Sequence, residues 1–358
     1  MKRVVAVLAL ALVFVVGAVA GAQATADELV ARAKVKYDAE DTDGCIADCN
    51  KAIALDPMNT EAYCTRALAK VGGGDSDGAL ADCNKAVELN PRDSAAYSSR
   101  AFARYSKVDL DGSLADCDKA IELDPRNSSA YCHRGIVKEH KGDIDGALAE
   151  YDKAIEVNPK DSTAYDVRGL AKIGKGDLDG ALPDFDKAIE LNPRASAAYR
   201  NRGHCHFTRA DYAAAAADYR SRLSLTSGDE DCALLLYLAR RKSGEDGSPE
   251  LSELEHKYGT ANAWPAAVLR LYLGSLTPDG VVAAAVEGVV RYPGSRMCEA
   301  YFYVGQWHLL RGEKDKGVEF LKRCLAPDKP RYYLPPHTIH CRAARAELER
   351  LGEIPRGR

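Results

Sequence analysis

Prolines 57, 91, 125, 159 and 193 follow one another at intervals of 34 residues. Tyrosines 63, 97, 131, 165 and 199 keep the same interval, and so do alanines 52, 86, 120, 154 and 188. A period of this size marks a repeat architecture: one unit cannot bury its apolar face alone, so it stacks on copies of itself. At 358 residues the chain is too long for one compact core and suits an extended array.

Each unit reads as a helical hairpin. In STAYDVRGLAKIGKGDLDGALPDFDKAIELNP, residues 162–193, Tyr165, Gly169 and Ile173 are spaced by four on one face of a first helix. Gly176-Asp177 interrupts it, and Asp177 is a suitable N-cap for a second helix. Ala181, Phe185, Ala188 and Ile189 recur at helical spacing until Asn192-Pro193 stops the run. Gly169 and Ala181 are expected to let the two helices approach closely.

This pattern resembles the tetratricopeptide repeat, whose signature sets an aromatic, Leu-Gly, a second aromatic, Ala, a third aromatic and Pro within 34 residues. Six consecutive units, from about residue 26 to 229, carry it. Arg32, Arg66, Arg100, Arg134, Arg168 and Arg202 replace the usual Leu, while Cys49, Cys83 and Cys117 take the aromatic position of the second helix. Ser227 stands where the sixth unit would have its proline. The resemblance implies an all-α, right-handed superhelical solenoid that binds proteins.

After residue 229 the period fails but helical signals continue, with a helix at 233–242 and starts at Ser248-Pro249, Trp264-Pro265 and Thr277-Pro278. Residues 298–325 restore the hairpin pattern through Tyr301, Gly305, Gly312-Glu313, Gly317 and Leu321. A last helix from Ile339 to Leu351 has the polar-backed character of a cap. The expected organisation is therefore six hairpins over 26–229, a divergent helical segment over 230–296, and a degenerate hairpin with its capping helix over 297–358. The stretches CALLLYLARRK (232–242), AWPAAVLRLYLG (263–274), EAYFYVGQWHLLRGE (299–313) and CRAARAELERLG (341–352) are similar to the envelope lipoprotein family NlpI. That resemblance implies a dimeric adaptor delivering cell-wall hydrolases to a processing protease.

Lys2 and Arg3 precede an apolar run from Val4 to Val16, and the small residues Ala20-Gly21-Ala22 and Ala22-Gln23-Ala24 follow. This is the layout of a secretory signal peptide over residues 1–24, and it predicts an exported, periplasmic or extracytoplasmic protein. Residues 4–22 are alternatively just long enough to remain as a membrane anchor. No cysteine precedes Cys45, which excludes a lipid-modified one. The net charge of −4, from 49 basic and 53 acidic residues without a run of one sign, gives no support to nucleic-acid binding.

The six arginines are matched by Asp48, Asp82, Asp116, Glu150, Asp184 and Asp218 in the same period. They are read as Arg–carboxylate pairs that set geometry, worth ~0–1 kcal/mol each if exposed. A basic stripe for an acidic ligand is the other reading. The sharper candidate is a groove along the first helices, lined by Leu68, Val71, Phe102, Tyr105, Ile136, Leu170, Ile173 and Phe207, for a peptide with hydrophobic side chains. A register error of one residue would turn these into core. The positions at which some relatives of this repeat clamp a carboxylate hold Cys64, Ser98, Cys132 and Asp166, which argues against that mechanism.

Eleven cysteines invite redox or metal readings. Cys45 and Cys49, four apart, and the cluster His204-Cys205-His206 lack the four ligands of a structural zinc site, so no metal or other cofactor is expected. Core packing suits most cysteines. Cys49–Cys64 and Cys117–Cys132, each separated by 15 residues, are the disulfide pairs to examine. No phosphate loop, Gly-x-Ser-x-Gly or His-Glu-x-x-His occurs, and His308 and His340 fall within helices. The expectation is a non-enzymatic scaffold for protein or peptide partners, able to self-associate through its C-terminal part. Its rivals are a cysteine-based redox or metal protein and a structural envelope spacer.

Overall fold

A computed structural model describes residues 24–226, 229–258, 266–287, 293–325 and 339–355. The expected signal segment, the Ser227 position and the Trp264-Pro265 start lie outside them. Every regular element among the described residues is a helix. Two compact units divide the chain, residues 1–137 and 138–358.

The first unit stacks the hairpins α1 (Ala26–Asp38) with α2 (Thr42–Leu55), α3 (Thr60–Gly72) with α4 (Ser76–Leu89), and α5 (Ser94–Ser106) with α6 (Leu110–Leu123). Helix α7 (Ser128–His140) runs through the division. The second unit continues with α8 (Ile144–Val157), then α9 (Ser162–Gly174) with α10 (Leu178–Leu191), and α11 (Ser196–Thr208) with α12 (Tyr212–Leu225). Beyond these come α13 (Glu230–Lys242), α14 (Ser248–Tyr258), α15 (Ala266–Tyr272) and α16 (Pro278–Glu287). A last hairpin of α17 (Pro293–Leu310) and α18 (Lys314–Leu325) is followed by α19 (Ile339–Arg350). The fold is an all-α solenoid of tandem hairpins with a divergent helical C-terminal part.

The hairpin turns are written in a short code. Asp41, Asp75, Asp109, Asp143 and Asp177 cap the second helices by accepting from the N–H of Gly44, Gly78, Gly112, Gly146 and Gly180. A Cβ on Gly180 would stand 2.1 Å from Asp177 Oδ2, so the cap takes the form Asp-x-x-Gly. The residue before the cap turns to positive φ, 84–85° at Gly74, Gly142 and Gly176, yet Val108 is held at 63°. A β-branched residue there carries a conformational cost.

Two packing solutions fill the hairpins. In the first unit Ala33 clusters with Cys49, and Ala67 with Cys83. In the second, Gly169 faces Phe185: a Cβ there would lie 2.7 Å from the ring. Gly203 faces Tyr219 in the same way, at 2.9 Å. The first helix thus presents Ala where the second presents Cys, and Gly where it presents an aromatic. The close approach at Gly169 is set by Phe185 rather than by Ala181. This complementarity explains the recurrence of cysteine at 49, 83 and 117 without chemistry.

Five rungs of the arginine ladder form the expected pairs, while Arg134 is seen with Asp118 and Glu150 with Lys138. Arg32–Asp48, Arg66–Asp82 and Arg100–Asp116 recur in the first unit, Arg168–Asp184 and Arg202–Asp218 in the second, each with Nε and Nη2 donating to the two carboxylate oxygens. The aspartates are buried, from 1% to 6% exposed, so the small energy of an exposed pair does not apply. Arg32 hydrogen bonding, against the cost of burial, holds the Asp48 carboxyl well below the usual carboxylate range.

In the second unit α11–α19 share one core built on Tyr219, Leu235, Leu238, Phe302, Tyr303, Leu321 and Leu348. The largest fully buried side chains all belong to this unit. Gly305 meets Leu321 and the Gly317 backbone, which draws α17 and α18 together, and Ala343, Ala344 and Leu348 seat α19.

Candidate functional site

Successive first helices place residues 34 apart in columns. One column runs Cys64, Ser98, Cys132, Asp166, Arg200, and another Leu68, Phe102, Ile136, Leu170, His204. The residues at these positions carry different chemistry in the two units.

In the first unit Leu68, Val71, Phe102, Tyr105 and Ile136 are half-buried. The Phe102 ring stacks at 5.1 Å on His133 and at 6.4 Å on Tyr105. Ser98 Oγ lies 3.0 Å from His133 Nδ1 and fixes the imidazole. These side chains form an apolar, aromatic strip with one polar anchor.

In the second unit Leu170 is exposed, but Ile173 and Phe207 are core residues at 5% and 1% exposure. This moves Phe207 from the groove to the core, while Ile173 is largely core with one edge on a cavity. Ile173 packs with Ala181, Phe185 and Cys205, and the Phe207 ring meets Tyr212 at 5.4 Å and Phe302 at 6.3 Å. The helices after the repeats supply the cover that the 34-residue pattern alone does not include.

A cavity of about 260 Å³ opens beside these residues. Leu170, Ile173 and Ile339 give it an apolar side, while Arg200, His204 and Arg342 give it a polar one. The two carboxylates at its margin are already engaged. Asp229 accepts from Arg222 at 2.9 Å and caps α13 through the Cys232 N–H. Asp231 accepts from the Tyr303 hydroxyl at 2.6 Å and lies 3.1 Å from His340 Nε2. Burial opposes ionisation of Asp231, but the His340 charge and these bonds hold it well below the usual range. Burial likewise opposes protonation of His340, and Asp231 outweighs it, so His340 is raised.

Arg200 and Arg342 have no hydrogen-bond or ion-pair partner among the described residues, and burial lowers Arg342 from its ordinary value. His204 Nε2 is buried without a partner, and burial pulls this imidazole down to about 3. Behind the cavity-lining Asn201, Asp166 is raised to about 6 by burial, against a hydrogen bond from Asn201 Nδ2 at 3.0 Å. Two guanidiniums and an imidazole nitrogen without partners, beside an apolar wall, suit a carboxylate attached to a hydrophobic segment.

The His204 shift fixes a pH dependence. Its folded value lies below its unfolded one, so its contribution to stability is complete above pH ~6.5 and is lost as pH falls from there towards 3. The Asp166 contribution has the opposite sign: it is present below pH ~4 and is lost as pH rises through about 6. Between pH 7 and 4.5 these contributions oppose one another, and His204→Gln, which removes the destabilising one, is expected to lose less melting temperature on acidification than the wild type. Equal slopes for the two proteins would show that the imidazole does not stay neutral in the fold.

Sequence reasoning missed Arg200 and Arg342. Arg200 was legible as the next member of the Cys64–Asp166 column, which turns cationic at the sixth unit. Arg342 comes from α19, outside the period, and carried no signal.

All eleven cysteines are buried, and neither a Cys49–Cys64 nor a Cys117–Cys132 bond is present in this structure. Cys49 packs with Cys45, Ala33 and Ala69, whereas Cys64 packs with Ala86 and Ala96. The two side chains serve different clusters.

Residues 64–128 and 167–230 match one family model described as Tetratricopeptide repeat, and residues 117–149 match a second of the same description. No curated protein matches the chain. Among solved structures, the APC/C hetero-tetramer Cut9–Hcn1 aligns with a TM-score of 0.57 at 15% identity, over 84% of this chain and 56% of that one, a likeness of fold. PilF of Pseudomonas aeruginosa aligns with a TM-score of 0.46 at 17% identity, over 56% of this chain and 93% of its own. YrrB, titled a TPR protein with an unusual peptide-binding site, aligns with a TM-score of 0.33 at 23% identity, over 52% of this chain and 95% of its own. Over residues 64–149 and 167–230 the period, the hairpins and the family models agree: these units are tetratricopeptide repeats.

Proposed function

We propose that the protein is an exported, non-enzymatic adaptor that holds a partner's peptide segment on the first-helix face of its repeats. An acidic side chain or terminal carboxylate of that segment is taken by Arg200 and Arg342, and neighbouring hydrophobic side chains rest on Leu170 and Ile339. The observation that carries this reading is the pair of arginines without partners beside an apolar wall in one cavity. The strip at Leu68, Val71, Phe102, Tyr105 and Ile136 is a second contact surface in the first unit.

Export rests on the leader-like residues 1–24, and anchoring through residues 4–22 is the variant of that reading. The similarity of the C-terminal stretches to NlpI makes cell-wall enzymes or a protease the partner class, and self-association through that part the assembly. Selection of random peptides on the purified chain tests the binding function. Peptides pairing Asp or Glu with aliphatic or aromatic residues are expected to enrich, and to be lost with an Arg200→Glu, Arg342→Glu variant. A chain that binds no peptide saturably is a spacer, and the adaptor reading fails.

A further inference from the structure

Three cysteines far apart in the chain converge in the second unit. Cys298 on α17, Cys324 on α18 and Cys341 on α19 are 3%, 4% and 8% exposed. Cys298 Sγ lies 2.6 Å from Cys341 Sγ and 3.0 Å from Cys324 Sγ. All three sulfurs fall within 4.8 Å of one another.

Both measured separations are closer than nonbonded heavy atoms rest, at about 3.5–4.0 Å. They are also shorter than a metal imposes: thiolates bound at ~2.3 Å around one ion stand roughly 3.7–4.0 Å apart. They approach the disulfide bond, ~2.05 Å. Cys298 is the shared sulfur, and Cys341 is its nearer neighbour.

We propose that Cys298 and Cys341 form a disulfide that fastens the capping helix α19 to α17, with Cys324 held beside it as the alternative partner. The bond forms by exchange with a small disulfide oxidant such as oxidised glutathione. Two protein thiols and one oxidant disulfide become one protein disulfide and two glutathione thiols, so both electrons and both protons leave on glutathione. The link closes a loop across 43 residues of sequence, a length at which a cross-link removes substantial freedom from the unfolded chain. It also fixes Arg342, the neighbour of Cys341, and so orders one wall of the cavity.

The test is peptide mapping of the full chain, digested without reduction after equilibration with oxidised glutathione, together with a thiol count in denaturant and metal analysis. The expected result is a Cys298–Cys341 cross-linked peptide, no bound metal, and nine free thiols, the eleven of the sequence less two. Cys341→Ser is expected to shift the link to Cys298–Cys324. Cys298→Ser is expected to abolish it and to lower the melting temperature by about 5–10 °C. Eleven free thiols, a wild-type link between any other pair, or stoichiometric zinc or copper with the three cysteines unlinked would overturn the proposal. The mapping uses the wild-type protein, so it stands even where a variant folds poorly.

Discussion

Arg168→Ala is expected to destabilise the second unit by about 2–4 kcal/mol, far more than a surface ion pair is worth. Asp184 is 3% exposed and accepts from Arg168 Nε at 3.0 Å and Nη2 at 2.5 Å. Removing the guanidinium strands most of that buried charge. Lys172, at 2.7 Å from the second oxygen, compensates in part and keeps the cost below that of a wholly unpaired carboxylate. The reverse change, Asp184→Ala, is expected to cost less, because Arg168 keeps Asp152 at 2.7 Å and access to water. Denaturant unfolding of both variants checks the asymmetry. Equal losses, or losses under 1 kcal/mol, would place the ladder among exposed pairs. The Arg168 guanidinium also lies 5.5 Å from the Tyr165 ring centre, so part of its loss is packing.

Gly169→Ala is expected to cost about 1–3 kcal/mol, and Gly169→Leu more, because the added carbon meets the buried Phe185 ring at 2.7 Å. Phe185→Cys alone is expected to cost about 2–4 kcal/mol through the cavity it leaves. The double variant Gly169→Ala, Phe185→Cys recreates the pairing of Ala67 with Cys83 found three repeats earlier. It is expected to be more stable than the sum of the single changes by about 1 kcal/mol or more. Strict additivity would mean that the two positions do not pack as one unit, and the account of the repeat's cysteines would fall with it.

The hairpins were legible because their signals are local and repeated. Gly176-Asp177 marked the turn and the cap, and Tyr165, Ala188 and Pro193 recurred at fixed intervals. What escaped was long-range. Ile173 and Phe207 sit in first-helix columns whose earlier members are half-buried, and nothing within 34 residues announces that the divergent helices cover Phe207. The cavity needed Arg342 from α19, and the thiol cluster needed partners 26 and 43 residues from Cys298. A repeat period describes how a unit meets its neighbours. It carries no information on what a non-repeating segment folds back to touch.

The separation of charges around the cavity is equally a tertiary fact. Asp229 and Asp231 precede the arginine-rich end of α13 in sequence and read there as an acidic helix start. In the fold each is committed to an internal partner, which leaves Arg200 and Arg342 as the local charge.

An equilibrium titration of a fluorescent peptide carrying one glutamate between two leucines measures that assignment directly, with the wild-type chain compared against Arg200→Ala, Arg342→Ala. A saturable isotherm that weakens about 10-fold or more in the variant, and similarly when the glutamate becomes glutamine, is the expected result. Identical affinity for all combinations would show that the cavity does not take a carboxylate.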